Sequence, residues 1–506
     1  MSEESSIHPV VKRTSDFSDK ISPMLVKELR QGLKGPSFMI LFIAIQAILA
    51  LLIIGQAFGS SYDNVGSNIS SSIFVCLGLA TCVLQPLRAI SAIGNEIKEN
   101  TIDLMVITRL SAWRIVFGKW ISIVSQSALI IIAVTPYLIM RYFFGGMQLF
   151  GELMVLLTMF IASAGITAVF IGLSSLPSLI LRGIIGLGSA FFLGVAVIGL
   201  FMDTYVYRDF MELLTFQFPM AFAVYFMLVL FTVYLSWLAL DFGAGSIAPV
   251  SENRATPRRL ITLGIIALFF IIFALSYNDF RRVAPAIMIA LSIPIAVISL
   301  TEPTFTTATV SVPFVKKGIL GRIGSYFFYP GWASGLNFVL LLLALTILSI
   351  FFYEDNRFYS NYDQLTYYTQ FFTVVSICFS CMIFPLLLVR IFFKNKTNIF
   401  VFYLASAVAI TIIWILILII GEETSRSIYT PFCWLPPMQF NIFDRNSTEH
   451  IAVIIAFPTF LIYWISCFLT SRSAWKHVRD NNLQAEDIIE SEKQFLTEEQ
   501  ASSPAK

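Results

Sequence analysis

Runs of 17 to 24 mostly apolar residues recur along the chain, and no other property of the sequence restricts the fold so tightly. Such a run, folded as a helix rising about 1.5 Å per residue, crosses a hydrocarbon core about 30 Å thick. The runs are 37–58, 71–93, 120–140, 151–173, 183–202, 219–240, 260–277, 284–300, 332–352, 369–392, 399–420 and 451–470. With 57% hydrophobic and 13% charged residues, a water-soluble fold would expose far too much apolar surface. The expected fold is an all-α polytopic integral membrane protein of about twelve spans.

The charges orient it. With the N-terminus inside, 26 of the 33 Lys and Arg fall on inside segments and 7 on outside ones, so both termini are expected on the cytoplasmic side. Basic inside loops such as "SENRATPRRL" and "PFVKKGILGRIG" contrast with "GSSYDNVGSNIS" outside; Arg281 and Arg282 run against the trend. Tyr326, Tyr329 and Trp332 sit near run ends and read as interfacial anchors. The net charge of +2 gives no global field toward nucleic acid, and no nucleic-acid partner is expected. The N-terminus has no apolar core followed by a small-residue cleavage site, so no cleaved signal is expected.

Four segments follow: a cytoplasmic N-terminus with an interfacial helix (1–36), six spans (37–240) containing the charged segment 95–119, six further spans (241–470), and a polar tail (471–506). In "SPMLVKELRQGLKGP", Ser22 is placed to cap a short helix, Pro23 suits its first turn, and Gly35-Pro36 ends it. Leu25, Leu29 and Leu33 share one face while Lys27, Arg30 and Lys34 lie on others, the pattern of an amphipathic helix in the membrane interface. The tail turns from basic to acidic and is expected to be a frayed helix with a disordered end.

The stretch "NEIKENTIDLMVITRLSAWRIVFGKW" carries more signals than a plain loop needs. Glu96, Glu99 and Asp103 would share one face of a continuing helix, pointing to water or a partner. Leu104 to Ile107 form an apolar knuckle too short to span, and Ser111 is placed to cap the helix that becomes the third span. Such a knuckle is costly in water unless something covers it.

Its order resembles the permease of type-2 ATP-binding cassette transporters, over residues 20 to 240. The matching positions are Glu96, Glu99, Thr101, Asp103, Leu104, Thr108, Leu110, Ser111, Ile115, Gly118 and Lys119, with the elbow helix (Leu25, Lys27, Glu28, Leu29, Arg30) before the first span. Asn100 stands where the family commonly has Gly, and Arg109 where Pro often precedes Leu-Ser. The resemblance implies that this reversal, Arg109 included, couples the chain to a cytoplasmic ATPase dimer. It further implies a second permease copy or a different permease as partner, export as the direction, and a bacterial cytoplasmic (inner) membrane as location.

No G-x-x-x-x-G-K-[ST] string occurs, so any ATP would be hydrolysed by another chain, with no cofactor bound directly and no enzymatic activity of its own. The alternative is an ion-coupled secondary transporter of twelve spans, opposed by the scarcity of ionisable groups at span centres. Arg88, Arg182, Asp241 and Arg390 fall near inner ends, where snorkelling suffices. Cys378 and Cys381, a C-x-x-C within "SICFSCMIF", read as small apolar side chains. The inside loop 301–331, with Lys316, Lys317 and Arg322, is either a degenerate second coupling element or a basic loop near anionic lipid.

Overall fold

The computed structural model describes residues 23–59, 65–98, 111–142, 148–249, 252–275, 283–304, 308–352, 361–393, 398–423, 431–443 and 449–502. Among them no residue forms a strand. Eleven helices are long and apolar enough to cross a membrane, or twelve when a bent pair counts as one span. Eleven of the twelve apolar runs coincide with these helices and the twelfth, 332–352, with the second half of the bent pair, and the chain is an all-α polytopic membrane protein. It divides into two compact units, Met1–Ser175 with Gly186–Ala221, and Leu176–Ile185 with Phe222–Lys506. The sixth span thus belongs to the second unit, whereas the sequence layout groups it with the first five.

The first unit contains α1 (Pro23–Lys34), α2 (Pro36–Gly59) and a broken second span: α3 (Val65–Gly78), a π-helical stretch at Leu79–Leu84, α4 (Gln85–Ala89) and α5 (Ala92–Lys98). Then come α6 (Ala112–Tyr142), α7 (Leu149–Ser174), α8 (Leu179–Met202), which continues here from Gly186, and α9 (Thr204–Leu214). The break has a local cause, because Pro86 lacks the N–H that would close the preceding turn. Ser163 Oγ on α7 donates to the Thr81 carbonyl in the π stretch (2.7 Å) and stands 3.0 Å from Ser127 Oγ on α6. All three residues are fully buried. In hydrocarbon such a polar seam fixes helix register, each bond contributing about 1 kcal/mol.

The second unit contains α10 (Ala221–Gly245), α11 (Ala255–Leu275), α12 (Ala284–Thr301), α13 (Val312–Val315), α14 (Gly318–Phe328), α15 (Trp332–Leu348), α16 (Asn361–Phe392), α17 (Ile399–Glu423), α18 (Pro436–Phe443) and α19 (Glu449–Ser502). Helices α14 and α15 are bent by 88° at Tyr329-Pro330-Gly331. Gly331 adopts φ +132°, a conformation that side chains with a Cβ rarely take. Helix α15 crosses α12 so closely that a Cβ on Gly335 would lie 2.1 Å from the Ser299 carbonyl oxygen.

Three expectations change here. Tyr329 and Trp332 are buried beneath the bend, and only Tyr326 is exposed as an interfacial anchor would be. Arg88, Asp241 and Arg390 do not snorkel: Arg88 bonds Gln85 and Gln126, Asp241 joins an ion network, and Arg390 lies 3.9 Å over the Trp332 ring; Arg182 is buried as well. The tail continues the last span as one α-helix to Ser502, instead of fraying. Ala474, Val478, Asn481 and Ala485, at helical spacing, are buried along it. Val478 packs with Val310 and Tyr329, and Asn481 Nδ2 donates to the Tyr329 hydroxyl (3.1 Å).

Candidate functional site

The elbow forms as the leucine spacing dictates. Leu25, Glu28 and Leu29 are half-buried while Lys27, Arg30 and Lys34 are exposed. Helix α1 lies along α6, where Ser122 Oγ donates to the Glu28 carbonyl (2.9 Å). A Cβ on Gly32 would come within 2.4 Å of Gln126 Nε2, so the backbones approach closely at this crossing.

Lys119 of α6 is 8% exposed, and its ammonium stands 2.5 Å from Glu96 Oε1 and 3.7 Å from Glu28 Oε2. One cation thus joins the elbow, the end of the second span and the start of the third. A buried ammonium is costly without such partners, which explains why both carboxylates turn inward. Arg88 donates to Gln85 Oε1 and Gln126 Oε1, both at 2.6 Å, and adds a second cation to the wall of a pocket of about 400 Å³ that Glu28 and Lys119 also line.

The elbow, Glu96 and Lys119 are therefore brought to one place. Glu96 faces Lys119 of its own chain rather than water or a partner. Ser111 immediately precedes α6, and its carbonyl accepts from the N–H groups of Arg114 (2.9 Å) and Ile115 (3.3 Å), as a helix-capping position should. Gly118 is buried, yet a Cβ there would meet nothing within 4 Å, so helix packing does not demand glycine. Glu99, Thr101, Asp103, Leu104, Thr108, Arg109 and Leu110 lie outside the described residues, as does the proposed cap Ser22.

The second unit holds a charged cluster that the sequence did not disclose. Arg259 is fully buried; its guanidinium reaches Glu302 Oε2 (2.5 Å), Ser334 Oγ (3.0 Å) and the carbonyls of Phe327 (2.7 Å), Tyr329 (3.0 Å) and Gly331 (3.2 Å). Neighbouring Arg258 pairs with Asp241 (2.6 Å) and lies 3.6 Å from Glu302, while Arg254 bridges Asp241 (3.1 Å) and Glu252 (2.8 Å). The planar guanidinium fork thus secures the carbonyls freed where α14 turns into α15. A signal existed in "TPRRL": two adjacent arginines at the head of a span point about 100° apart on a helix, so both cannot reach one interface easily.

The inside loop 301–331 spends two of its three cations on the chain's own tail. Lys316 pairs with Glu492 (2.9 Å) and Arg322 with Glu486. None of the six cysteines is in a disulfide, and among the described residues no group of three His, Cys, Asp or Glu could hold a metal ion.

No family model, curated protein or solved structure matches this chain.

Proposed function

We propose that this chain is the membrane permease subunit of a type-2 ATP-binding cassette transporter, exporting its substrate across a bacterial cytoplasmic membrane. A separate ATPase dimer docks on residues 96–119 and supplies the energy, and a second permease, identical or different, completes the pore. The observation that supports this most is the Lys119 clamp. The stretch that resembles a coupling element leaves the second span at Glu96 and enters the third at Lys119, and these residues are joined to each other and to the elbow. A push on the intervening residues would therefore load α5, α6 and α1 together. Rigid transmission of this kind is what a bistable transport cycle driven from outside the membrane requires.

The ion-coupled alternative draws on the buried carboxylates Asp241 and Glu302. Both are already paired with arginines, which leaves them poorly suited to releasing and rebinding a proton or cation.

The test is purification from native membranes in mild detergent, with mass spectrometry of what stays bound. A stoichiometric ATPase, lost in a Glu99→Ala/Asp103→Ala variant that still inserts, is the expected result. A chain recovered alone at low salt, with transport requiring a proton gradient, would overturn it.

A further inference from the structure

We infer that the groove between α14 and the membrane-exit segment of α19 is a binding site for the headgroup of an anionic glycerophospholipid. The groove, about 760 Å³, is lined by Arg322 and Tyr326 of α14 and by Arg472, Trp475, Lys476 and Arg479 of α19. Arg472, Lys476 and Arg479 recur at i, i+4 and i+7, so they form one helical row, and all three are exposed. Glu486, the carboxylate on the same wall, is held by Arg322. Among the described residues, no carboxylate lies within the 4.0 Å ion-pair distance of Arg472, Lys476 or Arg479. Three cations that form no ion pair among the described residues therefore face one cleft, whose one lining carboxylate, Glu486, is engaged by Arg322.

What fills the cleft follows from what adjoins it. Arg472 and Trp475 also border an apolar depression of about 440 Å³ along α19, formed by Ile465, Phe468 and Leu469. Phe468 and Leu469 lie within the apolar run of the last span and Arg472 directly after it, so the depression meets acyl chains while the cationic row stands at headgroup depth. Trp475 packs on Tyr326 at 5.3 Å between centroids, an aromatic pair at the same level. Helix α14 is bent by 88° from α15 and exposes Ile319, Leu320 and Ile323, as a helix lying in the interface does. A free phosphate would use only the cations; a phospholipid uses both the cations and the apolar depression. Guanidinium and ammonium groups suit a phosphate ester, the arginines through paired N–H donors.

The test is native mass spectrometry of the full-length protein released from detergent, titrated with dioleoyl phosphatidylglycerol, with dioleoyl phosphatidylcholine and with inorganic phosphate. The expected result is a phosphatidylglycerol adduct at concentrations at least tenfold lower than phosphatidylcholine needs, undisturbed by millimolar phosphate. Arg472→Gln/Lys476→Gln/Arg479→Gln should abolish that preference, whereas Arg208→Gln, an exposed cation elsewhere, should not. Equal binding of both lipids by the unaltered protein would overturn the proposal without recourse to any variant. Displacement of phosphatidylglycerol by phosphate would overturn the lipid as ligand in favour of a free anion, and preference retained in the triple variant would overturn the assigned residues.

Discussion

A guanidinium with no solvent contact is costly in a membrane protein unless acceptors gather round it, and the two terminal nitrogens of Arg259 are held by a carboxylate, a hydroxyl and three carbonyls. Arg259→Lys keeps the charge but removes the fork, so it should lower the thermal unfolding temperature in detergent almost as far as Arg259→Met. Breaking a buried pair of this kind costs roughly 3–5 kcal/mol. Gly335→Ala should also destabilise, by about 1–3 kcal/mol through overpacking against Ser299, while Gly264→Ala, with nothing within 4 Å of its Cβ, should be neutral or mildly stabilising. A melting curve for each variant separates these outcomes. The sequence announces Arg259 as a loop cation because its partners lie 43 to 75 residues away, and no local spacing encodes such contacts. The resemblance marks Lys119 but not its partners, because Glu28 reaches it only through the packing of the elbow on α6.

At the scale of elements, helix α19 carries the largest correction. Its buried row of Ala474, Val478, Asn481 and Ala485 is made of small and polar residues, which conceal a packing face that larger apolar residues would have advertised. Acidic residues that look like a solvated tail instead meet Lys316 and Arg322. Because these pairs are exposed, each contributes only about 0.2–1 kcal/mol. Arg322→Glu should therefore raise hydrogen exchange across 474–485 modestly, and the swap Arg322→Glu/Glu486→Arg should restore protection; unchanged exchange in the single variant would remove the pair from the docking account. The elbow, by contrast, was readable from sequence, since a leucine repeat between a proline and a Gly-Pro stop determines both its extent and its buried face.

For the whole molecule, an even number of spans requires the two ends of the chain to share a side. Impermeant thiol labelling of single cysteines placed at Ser5 and Ser503, in a background lacking the six native cysteines, should react from the same face of sealed vesicles. Reaction from opposite faces would mean that the bent pair α14 and α15 does not cross. The spans were legible because hydropathy is a local property, averaged over a window the width of the bilayer. Which unit the sixth span joins is not legible in this way, because it depends on which helices touch. The 54-residue α19 also has a consequence outside the membrane. From residue 471 to its end at Ser502 it is about 48 Å long, at 1.5 Å per residue. A helix of that length is a ruler: anything bound at its far end would stand at most about that distance from the end of the last span.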